Sequence, residues 1–302
     1  MNRRSTIRHL LVASAVPLWA RAASDENPDY TVRSEVRLVL LDVSVKNLEG
    51  GFVTGLPAGS FRVLDNGRPQ SITVFDNSDE PVTVGILVDQ SLSMTPNRGA
   101  VLTAALTLIE ESNSRDQVFI LHFNDKVRRG LPESVLFSDN IAQLRAALYG
   151  GVPQGRTALY DAVVSGLEQL EHGRAGKKTL VLISDGGDTA SQHKRRDMVR
   201  MVEKSLATIY TIGLIDPENP DRNSGVLDQL ARISGGEAFF PPEADRLVAV
   251  CRGIAREIRA RYTLGYVPPA ESGTGSLHRI RVEMIEPGRD KLVAHTRTSY
   301  QS

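Results

Sequence analysis

Between Val82 and about Arg261 the chain alternates short, nearly all-apolar runs with longer stretches whose apolar residues recur every three or four positions. The first kind reads as strands buried on both faces and the second as amphipathic helices. Strands are predicted at residues 82–88, 118–123, 179–183, 208–214 and 238–240, and helices at 99–112, 141–149, 158–170, 196–205, 226–233 and 246–261. Strands separated by helices predict an α/β domain of the Rossmann-like kind, a doubly wound, mostly parallel sheet with helices on both faces.

The two ends of the chain have a different rhythm. Residues 36–45, 61–64 and 72–75 are short strand-like runs broken by Gly50-Gly51 and Asp65-Asn66-Gly67, and Asn66-Gly67 favours the positive φ angles of a tight hairpin. Near the other end, 262–266 and 278–285 alternate or run apolar, and 291–299 is expected to pair back across Pro287-Gly288. The N-terminal segment has too few strands for a full sandwich. The segments at 30–79 and 262–302 are therefore expected to build one small antiparallel β module beside a domain at 82–261, with polar loops at 216–224 and 270–276.

Composition changes this picture in two places. The chain has 302 residues, which suits one larger domain with a smaller attachment, and its 41% apolar fraction is enough for ordinary cores. Lys plus Arg and Asp plus Glu both count 36, so no net field draws nucleic acid or an anionic membrane surface, and neither partner is expected. Residues 1–22 stand apart: Arg3, Arg4 and Arg8 precede an apolar stretch at 10–20, and Ala20-Arg21-Ala22 fits an A-x-A cleavage site. That layout predicts an export signal cleaved after Ala22, with Arg3-Arg4 compatible with the twin-arginine route as well as the general one. The apolar stretch is roughly half the ~20 residues a membrane span requires. The mature chain is thus expected to be periplasmic or extracellular and to carry no membrane span. Cys251, the one cysteine, falls at helical spacing with Leu247, Ile254 and Ile258 and reads as a small buried hydrophobe.

The candidate chemistry lies where strands hand over to loops. Asp89-Gln90-Ser91-Leu92-Ser93 follows the first buried strand and offers a carboxylate and two hydroxyls at alternate positions. Thr157 opens the helix at 158–170, and Asp185 ends the strand at 179–183 with Gly186 behind it. In open α/β sheets ligands bind outside the carboxyl ends of the strands, so three loops are expected to meet at one edge.

These residues resemble the metal-ion-dependent adhesion site of von Willebrand factor type A and integrin inserted domains: Asp89-x-Ser91-x-Ser93, Thr157 and Asp185-Gly186 match in order across 82–261. The resemblance implies that Ser91, Ser93 and Thr157 meet a cation through their hydroxyls, with Asp89 and Asp185 direct or through water. It also implies a closed-to-open switch in which the last helix, 246–261, moves. The donor set itself is hard oxygen without sulfur or imidazole, which makes Mg²⁺ the first candidate and Mn²⁺ or Ca²⁺ the alternatives. Two carboxylates roughly balance a dication, so one coordination position stays attractive to an Asp or Glu carboxylate offered by a protein partner. The expected function is a cation-dependent binding protein for adhesion or assembly, like the secreted bacterial proteins of this family. The loops at Gln90, Leu92, 154–156 and 186–191 are expected to set the choice of partner.

Enzymatic readings find less support. Residues 150–157 have the length of a phosphate-binding loop, but they follow a helix instead of a strand, Arg156 stands where Lys is needed and Pro153 removes an amide. Asp89 has no second Asp two residues on for aspartyl phosphorylation, and His122, His172, His193, His278 and His295 form no pattern with a nucleophile. The protein is expected not to be an enzyme, and the alternatives are a metal-dependent hydrolase, for which no base is visible, or a metal-free interaction module. Asp188 is a candidate for outer-sphere or partner contact, and Asp161 reads as a polar group on a helix face.

Overall fold

The computed structural model describes residues 38–214, 222–268, 275–285 and 291–301, all within one compact unit. The expected leader, its cleavage site and Pro287-Gly288 lie outside the described residues, as does most of the 216–224 and 270–276 loops.

The chain begins with β1 (Val39–Lys46), β2 (Phe61–Asp65), β3 (Arg68–Gln70) and β4 (Val74–Asp76). It then enters β5 (Val82–Asp89), α1 (Arg98–Glu110), β6 (Gln117–Phe123), β7 (Val127–Arg129), α2 (Ile141–Tyr149) and α3 (Leu159–Glu171). Next come β8 (Lys177–Ser184), α4 (Arg195–Lys204), β9 (Thr208–Gly213), α5 (Ser224–Ser234), β10 (Ala238–Phe239) and α6 (Leu247–Arg259). The last strands are β11 (Tyr262–Tyr266), β12 (Leu277–Met284), β13 (Val293–His295) and β14 (Ser299–Gln301).

The central sheet has the order β10-β9-β8-β5-β6-β7 and is parallel except for β7, which runs antiparallel to β6 at the edge. All eight residues of β5 are buried, which is why its sequence is nearly all apolar instead of alternating. Helices α1, α2 and α6 pack together on one face, and α3, α4 and α5 on the other. The chain leaves β5 toward β6 on one side and returns to β8 on the other, so the strand order reverses at β5 and β8. That is the place where a doubly wound sheet opens a crevice.

The antiparallel β module does come from both ends of the described chain, as two four-stranded sheets, β13-β1-β11-β4 and β14-β12-β2-β3. The two sheets share one core that includes Leu41, Val43, Phe61, Val63, Tyr262, Leu264 and Ile280. The β2–β3 hairpin turns on Asn66 and Gly67 with φ of 50° and 78°, as the Asn-Gly pair predicts. The expected pairing back of 291–299 across Pro287-Gly288 is corrected: β13 pairs with β1 in the other sheet, and it is β14, from Ser299 on, that pairs with β12.

Candidate functional site

β5 ends at Asp89, and the following loop folds back on that carboxylate. The Ser91 amide donates to Asp89 Oδ1 at 2.8 Å, while the Gln90 amide donates to the Phe123 carbonyl at the end of β6 at 2.7 Å. The Ser91 and Ser93 hydroxyl oxygens are 3.0 Å apart. Ser184, the last residue of β8, donates its hydroxyl to Asp89 Oδ2 at 2.6 Å and accepts the Gly186 amide at 3.0 Å. Asp185 then turns its own loop by accepting the Gly187 amide on Oδ1 at 3.0 Å. Gly186 has φ of 84°, and a Cβ there would lie 2.4 Å from the Asn223 carbonyl oxygen, so both the turn and the close approach require glycine.

The loop before α3 joins these two through its main chain. The Gln154 amide donates to the Gln90 carbonyl at 2.8 Å and the Leu92 amide to the Gly155 carbonyl at 3.3 Å. The Thr157 carbonyl accepts the Thr189 and Ala190 amides at 2.8 and 3.0 Å, and its amide donates to Thr189 Oγ1 at 3.2 Å. The three loops expected from the sequence thus meet at the carboxyl edge of β5 and β8. Asp89, Ser91 and Asp185 are each 2% exposed, Thr157 is buried as well, and Ser93 is exposed at the mouth.

Burial sets the electrostatics. It pushes the Asp89 carboxyl up to about 6; hydrogen bonds from Ser184 and Ser91 oppose the rise and the Asp185 charge adds to it. Two buried acids that face each other at this edge make a site that favours a positive ion. Among the described residues no three His, Cys, Asp or Glu side chains gather, and the residues expected from the sequence would offer two carboxylates and three hydroxyls. That set fits a hard cation. Adjacent oxygens around octahedral Mg²⁺ at ~2.1 Å lie roughly 3.0 Å apart, the spacing of the two serine hydroxyls.

Several neighbours take roles different from those expected. Asp188 Oδ1 accepts the Tyr160 amide at 3.1 Å and the Ser191 hydroxyl at 2.5 Å, so it caps the first turn of α3. Asp161, a polar group on the face of α3 as expected, accepts the amides of Gln192 and His193 and pairs with the His193 ring, holding that loop against the helix. Gln90, expected on the partner-facing surface, is buried: its amide nitrogen lies 3.3 Å from His122 Nδ1, and His122 Nε2 donates to the Ala147 carbonyl at 2.8 Å. Burial, with Arg98 nearby, holds the His122 imidazole below its usual value, so Nδ1 is an acceptor and Gln90 is its donor. Ser184 escapes the sequence reading, for which a hydroxyl immediately before Asp-Gly was the available signal, and Thr189 enters it only as part of the 186–191 loop. Cys251 is fully buried as expected, and burial pushes its thiol up to about 12.

The largest cavity described, about 750 Å³, lies between α5 and strands β12 and β13 and shares no residue with this site. No helix of the described residues is long and apolar enough to cross a membrane.

A family model of the von Willebrand factor type A domain matches residues 84–187. Among solved structures, the fold resembles a von Willebrand factor type A protein from Catenulispora acidiphila, at 14% identity and a TM-score of 0.53, over 86% of this chain and 72% of that one. It also resembles the vWF domain of the type V pili tip protein Mfa5 from Porphyromonas gingivalis, at 13% identity and a TM-score of 0.50, over 59% of this chain and 95% of that one. A third likeness is to proximal thread matrix protein 1 of the mussel byssus, solved with a zinc occupied MIDAS motif, at 14% identity and a TM-score of 0.52, over 64% and 49% of the two chains. At such identities the likeness is one of fold.

Proposed function

Residues 84–187 belong to the von Willebrand factor type A domain family, whose members commonly mediate protein–protein interaction, and from that premise we propose that this chain is a cation-dependent binding protein. Asp89, Ser91, Ser93, Thr157 and Asp185 hold one divalent cation, Mg²⁺ before Mn²⁺ or Ca²⁺. When bound, the cation supplies a positive centre with a position open to one further anionic oxygen, an Asp or Glu carboxylate of a protein partner. Ser184 and the Ser91 amide fix the Asp89 carboxylate before any ion arrives, so the donors need little reorganisation. Export and a role outside the cytoplasm belong to the same reading, as does the absence of catalysis.

The observation that carries the reading is the meeting of two buried carboxylates and the serine hydroxyls at the edge where β5 and β8 end. The zinc held by the mussel protein in its motif is compatible with a site of this kind, but the oxygen-only donor set here favours the harder ion. Calorimetric titration of Mg²⁺ and Mn²⁺ into the metal-stripped protein tests it. Saturable one-to-one binding is expected, lost in Asp89→Ala and Thr157→Ala. A wild-type protein that takes up neither ion, even with acetate added to complete the coordination, would overturn it.

A further inference from the structure

Beside the candidate cation site lies a cavity of about 310 Å³ that shares Gln90 and Gln154 with its first two loops. Its outer wall is the β6–β7 hairpin. In the antiparallel register His122 stands opposite Arg128, which puts both side chains on one face of the sheet, and Lys126, just before β7, lines the same cavity. β7 is the last strand of the sheet, and Lys126 and Arg128 are exposed while His122 is buried. The buried pair Gln90 and His122 forms the floor under Gly151, where an added Cβ would lie 2.6 Å from each of the two facing nitrogens.

The charge lining this cavity has one sign. Lys126, Arg128 and Arg129 line it and no acid does. Arg129 is engaged with the Glu133 and Val135 carbonyls, whereas Lys126 and Arg128 are exposed and have no ion pair among the described residues. The nearest acid in sequence, Asp125, is paired with Arg156 at 3.0 Å. Lysine and arginine on a short edge strand also discourage strand-to-strand aggregation. Protection of an edge, however, does not call for an acid-free cavity with an amide and an imidazole fixed at its base.

Resting on the reading of the cation site given above, we propose that this cavity receives a second acidic side chain of the same partner segment. The partner surface is then di-acidic: one carboxylate goes to the cation position and the other to Lys126 and Arg128. A local cationic wall lets a chain with no net charge favour an acidic partner at this one place.

The test uses Gly-Ser peptides with a single Asp, or with that Asp and a second Asp one to five residues further on, titrated into the Mg²⁺-loaded full chain and followed by NMR. At least one two-acid spacing is expected to bind about three- to tenfold more tightly than the single-acid peptide, the gain two exposed ion pairs can give. In the Lys126→Gln/Arg128→Gln double variant that gain should vanish, while single-acid binding and calorimetric Mg²⁺ affinity stay within twofold of wild type. No gain at any spacing, or a gain that survives in the double variant, overturns the proposal and leaves the cation site untouched. Failure of Mg²⁺ to bind the wild type would instead sink the earlier reading. The two failures are therefore distinguishable.

Discussion

Asp89 and Glu257 are both 2% exposed, at opposite edges of the same central sheet, and their surroundings treat them in opposite ways. At the carboxyl edge, Asp89 faces Asp185 and two hydroxyls, and burial drives its carboxyl up. At the amino edge, near the first residues of β8 and β9, burial also disfavours the charge on Glu257, but Arg261, Lys46 and the Ser44 hydroxyl outweigh it and hold the carboxyl below its usual range. Arg261 in turn donates to Tyr210 Oη at 3.0 Å, Thr208 Oγ1 at 3.1 Å and the Asp42 and Gly235 carbonyls. One edge supplies all the countercharge its buried acid needs. At the other, a second acid faces the buried one, an arrangement that favours a positive charge from outside. The completed edge also fastens the end of α6 to β1, so the movement of the last helix that the family resemblance implies would have to break a buried ion network first.

The largest expected effect comes from the completed edge. Glu257→Gln leaves the buried Arg261 guanidinium without its carboxylate and loosens Lys46, which costs about 3–5 kcal/mol in denaturant unfolding. Because the Glu257 carboxyl is depressed in the folded protein, its contribution is fully present above its unfolded value of about 4.3 and is lost as pH falls through the lower, folded value. The variant should therefore show a shallower loss of stability below that pH. An unchanged midpoint and acid limb would mean that the network contributes nothing net, and the contrast between the edges would fail.

Asp89→Asn should behave in the opposite sense. In chelator the substitution removes a buried charge that faces another acid, so stability stays equal to or above that of wild type. With Mg²⁺ at a hundredfold excess over Kd, wild type should gain about 2.7 kcal/mol and the variant nothing. If Asp89→Asn unfolded the metal-free protein as readily as Glu257→Gln, both edges would be structural and the cation site would lose its support.

Much of this contrast was legible before the fold was known, and the parts that were not share a cause. β5 announces itself because all its residues are buried, and Asp89, Ser91 and Ser93 stand out because polar groups end an apolar run. β7 does not, because Val127-Arg128-Arg129 carries no apolar pattern and exists through pairing with β6. The division of 291–299 between two sheets depends on partners more than 200 residues away in β1 and on β12, which no local period encodes. Gln90 was read as surface because its burial depends on His122, brought beside it by the parallel pairing of β5 with β6. Periodicity finds what a residue does for its own element; it is silent on what the residue does for another.

Ser184 is the place where that silence can be measured. Its hydroxyl links the end of β8 to the Asp89 carboxylate, and it also receives the Gly186 amide that opens the Asp185 turn. Ser184→Ala removes a donor to a buried carboxylate and leaves the Gly186 amide without that acceptor, at a cost of about 1–2 kcal/mol in stability. It leaves all five proposed ligands in place. If Ser184 orients Asp89 for a cation, the variant should also bind Mg²⁺ roughly ten- to a hundredfold more weakly, the usual effect of losing a group that orients a ligand. Calorimetry beside unfolding separates the two effects. Lower stability with unchanged Mg²⁺ affinity would make Ser184 a brace between strands, and the preorganisation attributed to the carboxyl edge would have to come from the loop amides alone.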